Sequence, residues 1–203
     1  MRAQLAERRT EGARGLAARR TLEADLQRYL RHEAERGAGM EPTQLEWRFG
    51  REGDEHGALA LGELSITGRV DRVDVGPGGE AIVRDYKGAS APPGAGWAEG
   101  GALQVALYML AARDLLGLEP VGGLYQALWA RDPRPRGLIR DDVPGRYVAT
   151  DVVDEAGLEA ALEEVRGLAL ATAHELQAGA VKACPEKCSP KGCAYPTICR
   201  AGG

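Results

Sequence analysis

The 203-residue sequence has few of the features that mark membrane, secreted or strongly basic proteins. No apolar run approaches the roughly 20 residues of a membrane-spanning helix, and the N-terminus has no signal-peptide core. No cysteine occurs before Cys184, and the formal net charge of −4 excludes a globally basic nucleic-acid binder. These absences predict a soluble, cytoplasmic protein in which any contact with nucleic acid depends on local basic groups or on a partner.

The most informative stretch, residues 66–88, predicts two antiparallel strands joined by a tight, glycine-rich turn. If this turn is symmetric about Gly78, Asp71 lies opposite Asp85, with Cβ atoms roughly 5 Å apart. Opposed like charges destabilise a sheet, whereas a bound Mg²⁺ removes that penalty because it prefers hard oxygen ligands. With Lys87 nearby, the pattern favours a metal-dependent site; the alternative is an exposed hairpin with solvated charges.

A helix predicted after this hairpin adds two polar side chains. Gln104 and Tyr108 are four residues apart, so they share one helix face and leave an apolar face for the sheet. An amide and a phenol beside two carboxylates can orient a water or hold a phosphate. The alternative is a solvent-facing glutamine and a tyrosine at the edge of the core.

Hydrophobic periodicity predicts the remaining elements. The first part of the chain is expected to form a weakly anchored helix at 1–19, a better-defined helix starting at Thr21, a half-buried strand at 45–49 and the hairpin, with 59–66 leading into it. After the hairpin we expect a helix at 102–116, a buried strand at 121–130, a polar loop at 131–142, an edge strand at 147–153 and a long helix at 155–178 capped by Asp154. The leucines expected on the buried face of this last helix include Leu168 and Leu176. The order helix, three strands, helix, strand predicts an α/β fold.

Three motifs resemble the PD-(D/E)XK nuclease superfamily. Asp71 and the run Asp85-Tyr86-Lys87 are similar to its D…(D/E)-x-K signature. The strings GRVDRVD and DYKG resemble the RecB/AddB branch, and QVALY, from Gln104 to Tyr108, resembles the Q-x-x-x-Y helix of that branch. The resemblance implies a restriction-endonuclease-like αβββαβ core, a mixed sheet flanked by helices, with a C-terminal helix and a cysteine-rich metal-binding tail.

The resemblance also implies roles for these residues. Asp71, Asp85 and the carbonyl of Tyr86 would bind Mg²⁺ or Mn²⁺, and the residues expected to act in catalysis are Asp71, Asp85, Lys87, Gln104 and Tyr108. For a third metal ligand we prefer Glu46, on the strand before the hairpin, over the rivals His32, Glu33 and Glu35. The upstream histidine context and the N-terminal cysteine segment of the branch do not match here, and one interpretation is that the chain is a fragment.

The tail carries all four cysteines within a short segment rich in proline and glycine: Cys184, Cys188, Cys193 and Cys199. Such clustering favours metal binding over disulfides. The closing C-x5-C resembles that of iron–sulfur nucleases related to AddB, although those place one cysteine before the core. We expect the four cysteines to bind a [4Fe–4S] cluster. Two alternatives remain: the same four thiolates could bind zinc, or the chain could have lost the first ligand of a cluster by truncation.

The resemblance therefore implies a metal-dependent DNA nuclease domain over residues 1–180, followed by a cysteine-cluster tail over 181–203. The expected substrate is single-stranded DNA or DNA ends, and the expected partner is a helicase subunit or domain, as in RecB/AddB-type repair. Two alternatives remain open. One is a non-catalytic DNA-binding or assembly domain of a helicase–nuclease complex, and the other is a stand-alone exonuclease.

Overall fold

The computed structural model of the chain describes residues 12–35, 39–94, 97–98 and 101–180. Its helices are α1 (Gly12–Glu35), α2 (Gln104–Leu116) and α3 (Glu155–Gln177). Its strands are β1 (Glu41–Phe49), β2 (Leu59–Leu61), β3 (Leu64–Ile66), β4 (Gly68–Val75), β5 (Glu80–Lys87), β6 (Glu119–Ala127), β7 (Arg136–Arg140) and β8 (Val152–Val153). Within these ranges, every helix is too short or too polar to cross a bilayer.

Six strands form one mixed sheet in the order β1-β4-β5-β6-β7-β8. Strands β1, β4 and β5 are antiparallel neighbours, whereas β5 and β6 are parallel and are joined by the crossover helix α2. A parallel pair requires such a crossover because a tight turn can join only antiparallel strands. The order α1, β1, β4, β5, α2, β6 confirms the predicted α/β core with helices flanking a mixed sheet, consistent with a restriction-endonuclease-like fold.

The larger hydrophobic cluster lies between the sheet and the helices α2 and α3. Val83 of β5 belongs to it, whereas its neighbour Ile82 belongs to a smaller cluster on the other face, as strand alternation requires. Close approach of α2 to β6 depends on Gly123, where a Cβ atom would lie 2.5 Å from Sδ of Met109. The glycine thus lets the helix that carries Gln104 lie directly on the sheet.

A buried ion network holds the β4–β5 hairpin together on the face opposite the larger cluster. The carboxylate of Asp74 is fully buried between Arg72 of its own strand and Arg84 of β5, whose Nε lies 2.6 Å from Asp74 Oδ2. Burial by itself raises the pKa of Asp74, but the two guanidinium groups outweigh it and hold that pKa below its ordinary value. Asp74 is therefore an anion clamped between two strands.

The same network fastens α1 to the back of the hairpin. Nη1 of Arg72 lies 2.7 Å from Oε2 of Glu33 and donates to the hydroxyls of Tyr29 and Tyr86 at 3.3 Å. The two tyrosine hydroxyls are 3.0 Å apart, and their rings pack edge to face. Burial is the main reason that the pKa of Tyr29 lies well above its ordinary value, so its hydroxyl keeps its proton for this contact.

Several expectations about the elements were wrong. Thr21 does not start a helix: it lies inside α1, which already includes Gly12, and its hydroxyl donates to the carbonyl of Ala17 instead of capping the helix. Residues 59–66 form the separate hairpin β2–β3. The supposed loop at 131–142 contains the buried strand β7, whose flanking arginines are neutralised by distant acids: Arg136 by Asp151, and Arg140 by Glu119 together with the neighbouring Asp142.

Helix α3 confirms one prediction and corrects another. Asp154 caps it, accepting a hydrogen bond of 2.8 Å from the amide of Gly157. Leu158 and Leu162 are buried as expected, but Leu168 and Leu176 are exposed. The helix therefore meets the larger cluster from Leu158 to Leu170 and leaves it near its C-terminal end.

We predict that Asp74→Ala lowers the free energy of unfolding by about 3–5 kcal/mol, because it leaves Arg84 buried with an uncompensated charge. Urea unfolding monitored by circular dichroism measures the change. The matched control is Asp142→Ala, which also removes an arginine partner but at an exposed site, and should stay within about 1 kcal/mol of wild type. Equal effects of the two substitutions would contradict a structural role for the network.

Candidate active site

The register of β4 against β5 places two carboxylates side by side. Paired positions run from Val75–Ala81 to Arg72–Arg84, and extending that register by one residue sets Asp71 opposite Asp85. This is the register expected from a turn centred on Gly78. The two strands have begun to separate here, because Oδ2 of Asp71 accepts a hydrogen bond of 2.9 Å from the backbone amide of Tyr86. The aspartates thus lie where the ladder ends.

A chain of polar contacts connects Asp85 to helix α2. Nζ of Lys87 lies 2.6 Å from Oδ2 of Asp85 and donates to Oε1 of Gln104 at 3.0 Å. Nε2 of Gln104 in turn donates to the hydroxyl of Tyr108 at 3.4 Å. The structure therefore brings Lys87, Gln104 and Tyr108 together beside the two aspartates, as the i, i+4 spacing on the helix led us to expect.

The backbone carbonyl of Tyr86 faces the same gap as its amide. The carbonyl of Lys87 accepts a hydrogen bond from Leu128, just beyond β6, so the backbone groups of the preceding residue point the other way, toward β4. The side chain of Tyr86 packs on the opposite face of the sheet against Tyr29. One residue thus contributes its backbone to the candidate site and its ring to the attachment of α1.

The electrostatics of this pair suit a bound cation. Asp85 is only 4% exposed; burial raises the pKa of its carboxyl, Lys87 lowers it, and the charge of Asp71 raises it again. Two carboxylates and a backbone carbonyl are the hard oxygen donors that Mg²⁺ and Mn²⁺ prefer. The donor set therefore fits a divalent ion, whose charge would relieve the unfavourable burial and repulsion at Asp85.

Glu46 takes an unusual backbone conformation at this point in the sheet. Its φ angle is +54°, and the β1–β4 register places it opposite Asp71, although its side chain is exposed and lies 3.2 Å from Nε of Arg69. Val70 and Val73 both belong to the larger cluster, so the expected strict alternation of β4 is interrupted next to Asp71. Irregularities of this kind bend a strand and are frequent beside active sites.

A third metal ligand is not assembled here. Among the described ranges, no three histidine, cysteine or acidic residues come close enough to hold a metal ion, so Glu46 does not join the two aspartates. Its rival Glu33 contacts Arg72 on the other side of the hairpin, and His32 lies in the last turn of α1. The four tail cysteines lie outside the residues that the structure describes, and their role stays a prediction.

Tyr125 of β6 is a site residue that the sequence analysis missed. It is paired with Asp85 in the parallel register, and Nζ of Lys87 lies 5.1 Å from the centre of its ring. Its hydroxyl donates to the carbonyl of Ala102 at 3.0 Å and accepts from the amide of Val105 at 3.4 Å, which fixes the start of α2. Burial raises the pKa of Tyr125 to about 12. Only the register of a parallel pair could have identified it.

A sequence model of the PD-(D/E)XK nuclease superfamily matches residues 1–200, and the chain therefore belongs to this superfamily. Membership implies a metal-dependent nuclease that hydrolyses phosphodiester bonds in DNA, generally with Mg²⁺ or Mn²⁺. No curated protein sequence matches the chain significantly. The residues that resemble the signature of this superfamily, Asp71 and the run from Asp85 to Lys87, lie together at the end of the β4–β5 ladder.

We predict that Tyr125→Phe loosens the start of α2, because the buried amide of Val105 and the carbonyl of Ala102 lose their shared partner. The free energy of unfolding should fall by about 1–3 kcal/mol, and hydrogen exchange at the Val105 amide should accelerate. Urea unfolding and exchange measured by NMR test both effects. Exchange at Met109, in the middle of the same helix, is the internal control. Unchanged protection at Val105 would show that the hydroxyl does not hold the helix.

Proposed function

We propose that this chain is a Mg²⁺- or Mn²⁺-dependent deoxyribonuclease of the RecB/AddB branch that processes single-stranded DNA or DNA ends. The observation that carries the proposal is the opposition of Asp71 and Asp85 beside Lys87, whose Nζ lies 2.6 Å from Asp85. Opposed carboxylates lower the stability of a sheet, and a bound cation would offset the repulsion that Lys87 leaves uncompensated. Intact acidic and basic groups also argue against a purely structural domain.

Asp71, Asp85 and the carbonyl of Tyr86 would hold the divalent ion. Glu46 lies opposite Asp71 in the β1–β4 register, and it would become the additional ligand when its side chain leaves Arg69 and turns to the ion. When bound, such an ion lowers the pKa of a coordinated water and neutralises charge on the phosphate. Lys87 is held between Asp85 and Gln104, so its ammonium group stands ready to stabilise negative charge that develops on a phosphate oxygen.

The orientation of the Gln104 amide supports a role for the Tyr108 hydroxyl in binding DNA. Because the carbonyl of Gln104 accepts from Lys87 and its NH₂ group donates to Tyr108, the tyrosine oxygen acts as an acceptor in this chain. Its own hydroxyl hydrogen is then directed elsewhere and can donate to a DNA phosphate. Gln104 and Tyr108 therefore position the strand, while Lys87 acts at the reacting group.

Assignment to the RecB/AddB branch and to a helicase partner rests on two observations. The string GRVDRVD on β4, which resembles the branch, includes Arg72 and Asp74 of the buried ion network behind the site. The resemblance to the branch therefore extends to residues with a structural role and is not limited to the acidic signature. The net charge of −4 supports a partner that holds the DNA, since affinity for the phosphate backbone depends on positive charge.

We predict that Asp85→Asn and Lys87→Ala each abolish Mg²⁺- or Mn²⁺-dependent cleavage of labelled single-stranded and double-stranded DNA. The reason is that the first removes a metal ligand and the second removes the cation beside it. Thermal unfolding supplies a readout independent of activity: Mn²⁺ should raise the melting temperature of wild type but not of Asp85→Asn.

Asp114→Asn is the control, because it changes an acidic residue of α2 that takes no part in the polar chain at the site. It should cleave DNA like wild type and keep the Mn²⁺ response. Cleavage by wild type in saturating EDTA, or by both site variants, would overturn the proposal. A folded, inactive wild type that still responds to Mn²⁺ would favour the non-catalytic assembly domain.

We further propose that Cys184, Cys188, Cys193 and Cys199 bind a [4Fe–4S] cluster, since a short polar segment has little apolar surface with which to offset its ordering entropy. Anaerobically prepared protein should be brown, absorb near roughly 400 nm and contain iron and sulfide. Cys193→Ser or Cys199→Ser should bleach it. Colourless protein with one equivalent of zinc would select the zinc alternative, and four metal-free cysteines would defeat both.

A further inference from the structure

The three tryptophans of the chain differ sharply in their exposure to solvent. Trp47 and Trp97 are 6% and 2% exposed and belong to the larger hydrophobic cluster, whereas Trp129 is 55% exposed. An indole is the largest apolar side chain, and leaving half of it in water forfeits the favourable free energy of burial. A surface aromatic group in this state is suited to a contact that forms only when a ligand arrives.

Trp129 lies against the backbone that carries the candidate catalytic lysine. Its amide donates to the carbonyl of Gly88 at 3.0 Å, one residue after Lys87, and the preceding amide, of Leu128, donates to the carbonyl of Lys87 at 2.9 Å. A Cβ atom at Gly88 would lie 3.1 Å from the indole ring, so the glycine lets the ring rest directly on the chain. The indole is thereby held against the chain one residue beyond Lys87.

Positive charge accompanies this aromatic group. Arg131, two residues further on, is exposed and forms no ion pair with any other described residue, whereas the nearby Arg134 is neutralised by Asp132. An exposed guanidinium without an ion-pair partner among the described residues, two positions after an exposed indole, offers one group for a phosphate and one for a base. Proteins that bind single-stranded nucleic acid combine these two features, because every base has a π-face and every nucleotide a phosphate.

We propose that Trp129 stacks on an unpaired base of the DNA strand that enters the site, which makes single-stranded DNA the substrate class. The inference rests on the proposed nuclease function and deepens it. Bases within a duplex already stack on one another, so an exposed indole gains a stacking partner only from a strand that is unpaired or has been opened. Trp129 is thus a substrate-positioning residue, and Lys87 acts at the phosphate.

The test uses the 203-residue chain carrying Asp85→Asn, which prevents cleavage during binding. Because Trp47 and Trp97 are buried, the solvent-accessible fluorescence comes from Trp129. A short dT oligonucleotide should quench this emission, and the same sequence in a blunt duplex should not. In the same background Trp129→Ala should weaken binding of the labelled oligonucleotide roughly 5- to 150-fold by fluorescence anisotropy, as loss of base stacking does.

Two further variants make the result specific. Trp129→Phe should largely restore affinity because a phenyl ring also stacks, which a merely structural role of the indole would not predict. Leu176→Ala removes another exposed apolar side chain, far along α3, and should bind like the parent. In the otherwise wild-type, cleaving protein, Trp129→Ala should raise KM for single-stranded DNA much more than it lowers kcat.

The outcomes separate this inference from the nuclease proposal. Cleavage by wild type together with unchanged affinity in Trp129→Ala would overturn the stacking role and leave the nuclease intact. Quenching by dT in a wild-type protein that never cleaves DNA would support the stacking role and overturn the nuclease. Absence of quenching together with equal affinity for duplex and single strand would overturn the inference directly.

Discussion

The clamp of Asp74 between Arg72 and Arg84 is the interaction on which the rest of the structure depends. A buried carboxylate is tolerated only when paired, so β4 and β5 adopt the one register that keeps these charges together. That register sets Asp71 opposite Asp85 on the other face of the same hairpin. The ion pairs on one face of the sheet therefore help to fix the relative position of the two aspartates on the other face.

On the other face, which carries the candidate site, two like charges lie together and are only partly compensated. Lys87 offsets one carboxylate, and the remaining repulsion would be relieved by the cation that we propose binds here. Its surroundings are rigid: Gly123 admits α2 close to the sheet, and Tyr125 holds the start of that helix. The packing of α2 on the sheet thus prevents the two carboxylates from moving apart to reduce their repulsion.

Much of this arrangement could be predicted from short sequence spacings. The turn around Gly78 gave the opposition of the two aspartates, and a spacing of four placed Gln104 and Tyr108 on one helix face. The strand β7 was missed because its arginines look solvated, whereas in the fold distant acids such as Asp151 neutralise them. Local periodicity carries no information about a partner that is far away along the chain.

By itself, the sequence determined the order of the core elements, the hairpin register and the identity of the charged site, because each depends on residues only a few positions apart. Only the tertiary structure decided that Tyr125 lies beneath Lys87 and that Trp129 rests on Gly88. Both follow from the parallel pairing of β5 with β6, whose residues are about 40 positions apart in the sequence. A parallel pair has no turn to set its register, so packing of the crossover helix α2 must do so.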